Sequence, residues 1–196
     1  MKRVFIIHRW DGNPESDWYP WLKQELEKKG FQVFIPQMPN ATKPEIEKWV
    51  SKIKNEVRNL DAETYFIGHS IGCQAIMRYV EKEKYNDKIG IVIFVAGWFK
   101  LDNLENEEVK KIANPWLKTP FNFNAIKQKI SKLTVFLSTD DPYNFINENA
   151  QIFKNNLSAK IILEKNKGHF TGDDGVTEIP IALKSLLEVA NGNKFK

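Results

Sequence analysis

The chain alternates short runs of β-branched and aromatic residues with longer stretches in which apolar positions recur every three or four residues. Residues 4–8 read as a strand. Residues 17–29 read as a helix, with Trp18, Trp21, Leu22 and Leu26 on one face and Gly30 as its stop. Residues 31–35 form a second strand, closed by Pro36 and Pro39. Thr42 is predicted to cap the next helix, with Glu45 three residues on completing a capping box. Its stripe is Ile46, Trp49, Val50, Ile53 and Val57. Residues 64–67 are a third strand, 71 to about 83 a helix, and 89–95 a fully apolar strand. Strand 133–137, helix 144–155, strand 160–163 and helix 179–189 continue the alternation.

Strands alternating with helices predict an α/β fold: a mostly parallel, doubly wound sheet in a three-layer α/β/α sandwich. In such open sheets ligands bind at the carboxyl ends of the strands. One stretch, residues 98–132, breaks the rhythm. Residues 105–112 read as a short helix, followed by Pro115-Trp116-Leu117-Lys118-Thr119-Pro120-Phe121-Asn122-Phe123. The insertion either covers a site or is a surface excursion with its own small apolar cluster.

Composition narrows the classes. The 196 residues are 42% hydrophobic and 28% charged, which suits one globular domain over residues 1–190, with 191–196 as a frayed tail. One cysteine, Cys73, cannot form an internal disulfide and reads as a small core residue. Three histidines leave little for a zinc site, so neither a metal nor an organic cofactor is expected. A reducing cytoplasm is the predicted location. The apolar run 91–99 is interrupted by glycine and falls far short of the ~20 residues a bilayer span needs. The net charge is +4, but lysines alternate with acids, as in Glu25-Leu26-Glu27-Lys28-Lys29. That is a solvated helix face rather than a nucleic-acid stripe.

Gly68-His69-Ser70-Ile71-Gly72 lies between a predicted strand and a predicted helix. Gly-x-Ser-x-Gly in that setting is a nucleophile elbow. The turn is so tight that the serine takes strained angles and presents its hydroxyl outward. Side chains two residues to either side would collide, hence the glycines. The helix that follows aims its free amides at the site.

A serine hydroxyl needs a base, and the base an orienting acid. In this fold they follow the serine in the order acid, histidine. His169, in Gly168-His169-Phe170, is the histidine that follows Ser70 at a distance. His69 sits inside the elbow, and His8, at the end of the first strand, is expected to line or brace the loop below it. The acid should lie in Ser138-Thr139-Asp140-Asp141-Pro142-Tyr143, where Asp140 and Asp141 compete. Pro142 restricts Asp141 to an extended backbone, which suits an orienting acid. The amides of Ile71 and of Trp10, in the loop after the first strand, are the expected oxyanion donors. Arg9 interrupts that loop and is strained if its φ must be positive. Arg9, His69, Trp98 and Phe170 are candidate pocket residues, and Arg9 is a candidate partner for an acidic substrate group.

These motifs, together with Trp18-Tyr19-Pro20-Trp21-Leu22 and Met77-Arg78-Tyr79, resemble the small α/β-hydrolases of the retinoblastoma-binding protein nine type and their bacterial relatives. The resemblance runs from Val4 to about Val189. It implies a compact core without a large lid, and a serine hydrolase with Ser70 as nucleophile, Asp141 as acid and His169 as base. It favours Asp141 because the family's acid precedes a proline. The expected activity is hydrolysis of small esters, thioesters or amides through an acyl-enzyme, with a small-molecule acyl substrate as partner and neither nucleic acid nor membrane. The alternative is a binding module on the same fold, catalytically weak or silent.

Overall fold

The computed structural model describes residues 1–84, 88–143 and 145–190. In chain order its elements are β1 (Arg3–Ile7), α1 (Tyr19–Glu27), β2 (Gln32–Phe34), α2 (Ile46–Val57), β3 (Thr64–His69), α3 (Ile71–Lys82) and β4 (Ile89–Val95). Then follow α4 (Glu107–Lys118), α5 (Phe123–Lys129), β5 (Ile130–Ser138), α6 (Ile146–Leu157), β6 (Lys160–Glu164) and α7 (Pro180–Ala190). The strands form one sheet in the order β2-β1-β3-β4-β5-β6, and every pairing is parallel. The order reverses at β1, with β2 on one side and β3 on the other. The crevice beside such a reversal is where doubly wound sheets bind ligands.

Residue parity builds the layers. In β4, Ile91, Ile93 and Val95 face one side, and Val92 and Phe94 the other. The first side is covered by α1 and α7 through Leu22, Leu26, Ala182 and Leu186. The second is covered by α2 to α6, with Trp49, Ile76, Trp116, Ile126 and Phe153 reaching the sheet. Each such fully buried side chain contributes about 1.5–3 kcal/mol. Among the described residues, no helix is long and apolar enough to cross a membrane.

Three sequence expectations change. Thr42 does not cap α2, which starts four residues later with Glu45 extended at its N-cap and making no side-chain cap bond. Pro44 is the cause: a residue before proline avoids helical angles, so Lys43 cannot open the helix. The Thr42 and Pro44 carbonyls instead accept the indole N–H groups of Trp10 (2.9 Å) and Trp116 (3.0 Å). On α1, Tyr19 is fully buried while Trp21 is only partly so. The third change is in the insertion. Its first helix continues through Pro115 to Lys118, and a second helix, α5, follows. Asn106 and Asn122 cap the two by accepting the amides of Val109 (3.0 Å) and Ala125 (3.1 Å).

Arg78 ties this insertion to α3. Its Nη2 donates to the Trp116 and Thr119 carbonyls at the end of α4 (2.9 and 3.0 Å), and the guanidinium lies 4.1 Å from the Phe121 ring centroid. Burial, partly offset by the charges of Glu81 and Glu47, lowers its pKa to about 10, so it remains charged at neutral pH. The expected helix start at Asn144 and the tail 191–196 lie outside the described residues.

Candidate active site

Ser70 follows β3 at φ 53°, ψ −120°, and α3 begins at the next residue. Positive φ is costly for a residue with a side chain, and the surroundings enforce it. A Cβ on Gly68 would lie 2.8 Å from the Cys73 Cα and N, inside α3. One on Gly72 would lie 2.3 Å from the Ile7 carbonyl oxygen and 2.8 Å from that of His8. Gly68 therefore lets the turn fold back on itself. Gly72 serves a different contact, the close approach of α3 to the end of β1.

Three loops at the carboxyl edge converge on this serine. His169, after β6, places Nε2 2.8 Å from Ser70 Oγ and Nδ1 2.8 Å from Asp141 Oδ2. A carboxylate only accepts, so Nδ1 carries the proton and Nε2 presents its lone pair to the hydroxyl. Ser70, Asp141 and His169 are all buried. Asp141 Oδ1 also accepts the Tyr143 amide (3.0 Å), and the Tyr143 ring stands edge-on to His169 at 5.4 Å. Asp140 has another place. Its Oδ1 accepts Ser138 Oγ–H (2.5 Å) and the amides of Lys167 (3.1 Å) and Gly168 (3.0 Å), tying the acid loop to the histidine loop. The Ser138 hydrogen bond, with those amides, holds its carboxyl below the ordinary value.

The loop after β1 completes the corner. The positive-φ positions in this loop are Asp11 and Asp17 (both 55°), not Arg9. The Arg9 amide donates to Tyr19 Oη (3.1 Å), and among the described residues no acceptor holds the Trp10 amide. The Ile71 amide opens α3, where no intrahelical acceptor exists. The close approach at Gly72 sets the start of α3 against the end of β1, from which this loop departs. His8 braces the loop from beneath: Nδ1 donates to the Arg9 carbonyl (2.7 Å), and Nε2 accepts the Met38 amide (3.0 Å).

A cleft of about 610 Å³ opens over Ser70 and His169. Trp98, Leu101, Leu104, Val109 and Ile112 from the insertion form an apolar wall. Asp11, Lys43, Glu105, Glu108 and Asp173 supply a charged rim. Of the expected pocket residues, Arg9 and Trp98 line the cleft, whereas His69 and Phe170 are buried outside it. The Arg9 guanidinium is already committed, with Nε 2.8 Å from Asp17 Oδ2 and Nη1 3.1 Å from the Trp10 carbonyl. Of this apolar wall the sequence had nominated Trp98 alone; Leu101, Leu104, Val109 and Ile112 were not singled out. Their signal was the i, i+3 spacing of Val109 and Ile112 on α4.

His69 has a different task. Its Nε2 donates to the His169 carbonyl (2.7 Å), and its Nδ1 accepts Tyr19 Oη–H (2.7 Å). Asp17 adds a second brace by accepting the Gly172 amide (2.8 Å). Burial disfavours the Asp17 carboxylate, but Arg9 and the Gly172 amide outweigh it and hold its pKa below the ordinary value. Burial, and then the neighbouring His169, lower the His69 pKa from 6.5 to about 3. The neutral ring therefore contributes stability that is complete above pH 6.5 and is lost as pH falls toward 3. Urea unfolding at steps from pH 7 to 4 should reveal a loss on the order of 1 kcal/mol per pH unit, flattened in His69→Gln. Equal slopes in the two proteins would count against this assignment.

A family model described as serine hydrolase matches residues 4–188. The chain is 31% identical over 189 residues to YdeN of Bacillus subtilis, a protein named as a hydrolase, with 94% of each chain covered. It is 29% identical over 174 residues to the serine hydrolase RBBP9 of Rattus norvegicus, covering 88% of each. The crystal structure of the B. subtilis ydeN gene product matches with a TM-score of 0.88 at 28% identity, over 97% of this chain and 100% of that one. Est1E from Butyrivibrio proteoclasticus shares the fold at a TM-score of 0.72 and 15% identity, over 96% of this chain and 88% of that one. Sheet, elbow and neighbours together define a compact α/β-hydrolase without a large lid. Within that class, the chain belongs to the serine hydrolase family.

Proposed function

We propose that this hydrolase cleaves small esters, thioesters or amides through an acyl-enzyme on Ser70, with His169 as base and Asp141 as orienting acid. The hydrogen-bonded chain from Ser70 Oγ through His169 to Asp141, with both links at 2.8 Å, carries the reading. Attack of Oγ on the substrate carbonyl transfers the hydroxyl proton to His169 Nε2. The Asp141 carboxylate stabilises the imidazolium so formed. The amides of Ile71 and Trp10 receive the carbonyl oxygen as it becomes negative, each worth about 3 kcal/mol in comparable sites. His169 then protonates the leaving group, and water repeats the sequence on the acyl-enzyme. The apolar wall of the insertion offers an acyl chain a surface, and the charged rim keeps the cleft mouth wet.

A screen of p-nitrophenyl esters of graded acyl length should give turnover that peaks at a short or medium chain. A fluorophosphonate probe should modify one residue stoichiometrically, mapped by peptide mass spectrometry to Ser70. Turnover that persists once Ser70 is fully modified, or that is lost while Ser70 stays unmodified, would place the chemistry elsewhere.

A further inference from the structure

Ser70 Oγ has a second partner that the proposed chemistry does not use. Trp98 is 1% exposed, and its indole Nε1–H donates to Ser70 Oγ at 3.2 Å. A buried indole N–H needs an acceptor. Here the acceptor is the atom that would form and break the bond to substrate.

The position of Trp98 is fixed from several sides. The chain turns at Ala96 with φ 50° as it leaves β4. The Trp98 carbonyl accepts Gln74 Nε2–H from α3 (3.1 Å). The next two amides, of Phe99 and Lys100, donate to Asn149 Oδ1 of α6 (2.7 and 2.9 Å). Three elements thus hold the backbone that carries the indole.

We propose that Trp98 is a catalytic hydrogen-bond donor to the nucleophile oxygen, and that its main effect is on release of the acyl group. The proposal rests on Ser70 being the nucleophile. In the resting enzyme, Oγ accepts from Trp98 and donates its proton to His169 Nε2, so the indole points the hydroxyl at the base. In the acyl-enzyme, Oγ is an ester oxygen with its lone pair delocalised into the carbonyl, and it is a poor acceptor. In deacylation, His169 takes a proton from water and the resulting hydroxide adds to the acyl carbon. The C–Oγ bond then breaks, its electron pair goes to Oγ, and His169 returns the proton there. Negative charge grows on Oγ as the bond lengthens, so the indole hydrogen bond is stronger there than in the acyl-enzyme. An interaction that strengthens on the way to the transition state lowers the barrier. Acylation begins with the bond already made and gains little from it.

Trp98→Phe keeps the ring and removes the donor. With p-nitrophenyl butyrate, wild type and variant should acylate at similar rates, read as similar kcat/KM. Deacylation should slow about tenfold, the worth of one hydrogen bond to an oxygen gaining charge. The expected signature is kcat and KM falling together, with a burst approaching one p-nitrophenol per chain. Loss of packing alone would lower kcat/KM without trapping acyl-enzyme, and that result overturns the proposal, as does an unchanged kcat. Absence of turnover and labelling in the wild type would instead remove Ser70 as nucleophile, a failure of the proposed function. A second measurement does not require the Phe variant to fold. Ser70→Gly suits the positive φ and deletes the acceptor, so the Trp98 indole proton resonance should move upfield. An unmoved resonance overturns the hydrogen bond itself.

Discussion

Asp141→Asn should reduce ester turnover by about 10⁴-fold, the scale seen where a triad acid becomes an amide. Asp140→Asn should leave most of the activity in place. The two carboxylates are adjacent in sequence and differ in what they touch. Asp141 Oδ2 accepts the proton of His169 Nδ1 at 2.8 Å. An asparagine there can offer its amide N–H₂ to the ring, which favours the proton on Nε2. That tautomer has no lone pair for the serine hydroxyl, so the base is lost although the geometry survives. Asp140 does not contact the imidazole. It gathers Ser138 and two amides of the histidine loop around one oxygen, and asparagine keeps an acceptor oxygen at that point. Michaelis–Menten constants for both variants at one pH check the ranking. A larger loss in Asp140→Asn would transfer the orienting role to that residue.

The difference between these neighbours marks how far the sequence could be read. Order and type of the main elements followed from local pattern, because β4 is uniformly apolar and α2 carries a clear 3.6-residue stripe. The elbow was legible because its backbone tolerates so few residues. Pro142 acts on the residue before it and so made Asp141 the better suited of two competing acids, a preference that the family resemblance shared. Features set by distant contacts were not readable. The capping box at Thr42 satisfies every local rule except that Pro44 intervenes and the Thr42 and Pro44 carbonyls go to Trp10 and Trp116. His69 was expected at the pocket because it adjoins Ser70, yet it binds Tyr19 and the His169 backbone, 50 and 100 residues away in the chain. The hydrogen bond from Trp98 to Ser70 spans 28 residues and depends on how a loop leaves β4. Trp98 could be nominated for the cleft from its position at a strand end, but not for its contact with the nucleophile.

Gly72→Ala should be among the most destabilising single substitutions in this chain, although it adds one methyl group. The new Cβ would sit 2.3 Å from the Ile7 carbonyl oxygen and 2.8 Å from that of His8. Both are backbone atoms at the end of β1, a strand paired on both edges, so no side chain can rotate away. Either α3 withdraws from the sheet or β1 bends, and each breaks close packing across the α2–α6 layer. Overpacking against rigid backbone costs about 3 kcal/mol or more. For a chain of this size that lowers Tm by roughly 6–12 °C. Gly68→Ala meets backbone at 2.8 Å and should cost less. The consequence for function follows from the same contact. Moving the start of α3 away from β1 would disturb the oxyanion donors proposed at Ile71 and Trp10, so the surviving folded enzyme should lose kcat more than substrate affinity. Calorimetry on both variants, with kinetics well below Tm, tests the two effects separately. A Gly72→Ala protein that melts with the wild type would mean that α3 can slide without cost and that this glycine does not set the corner.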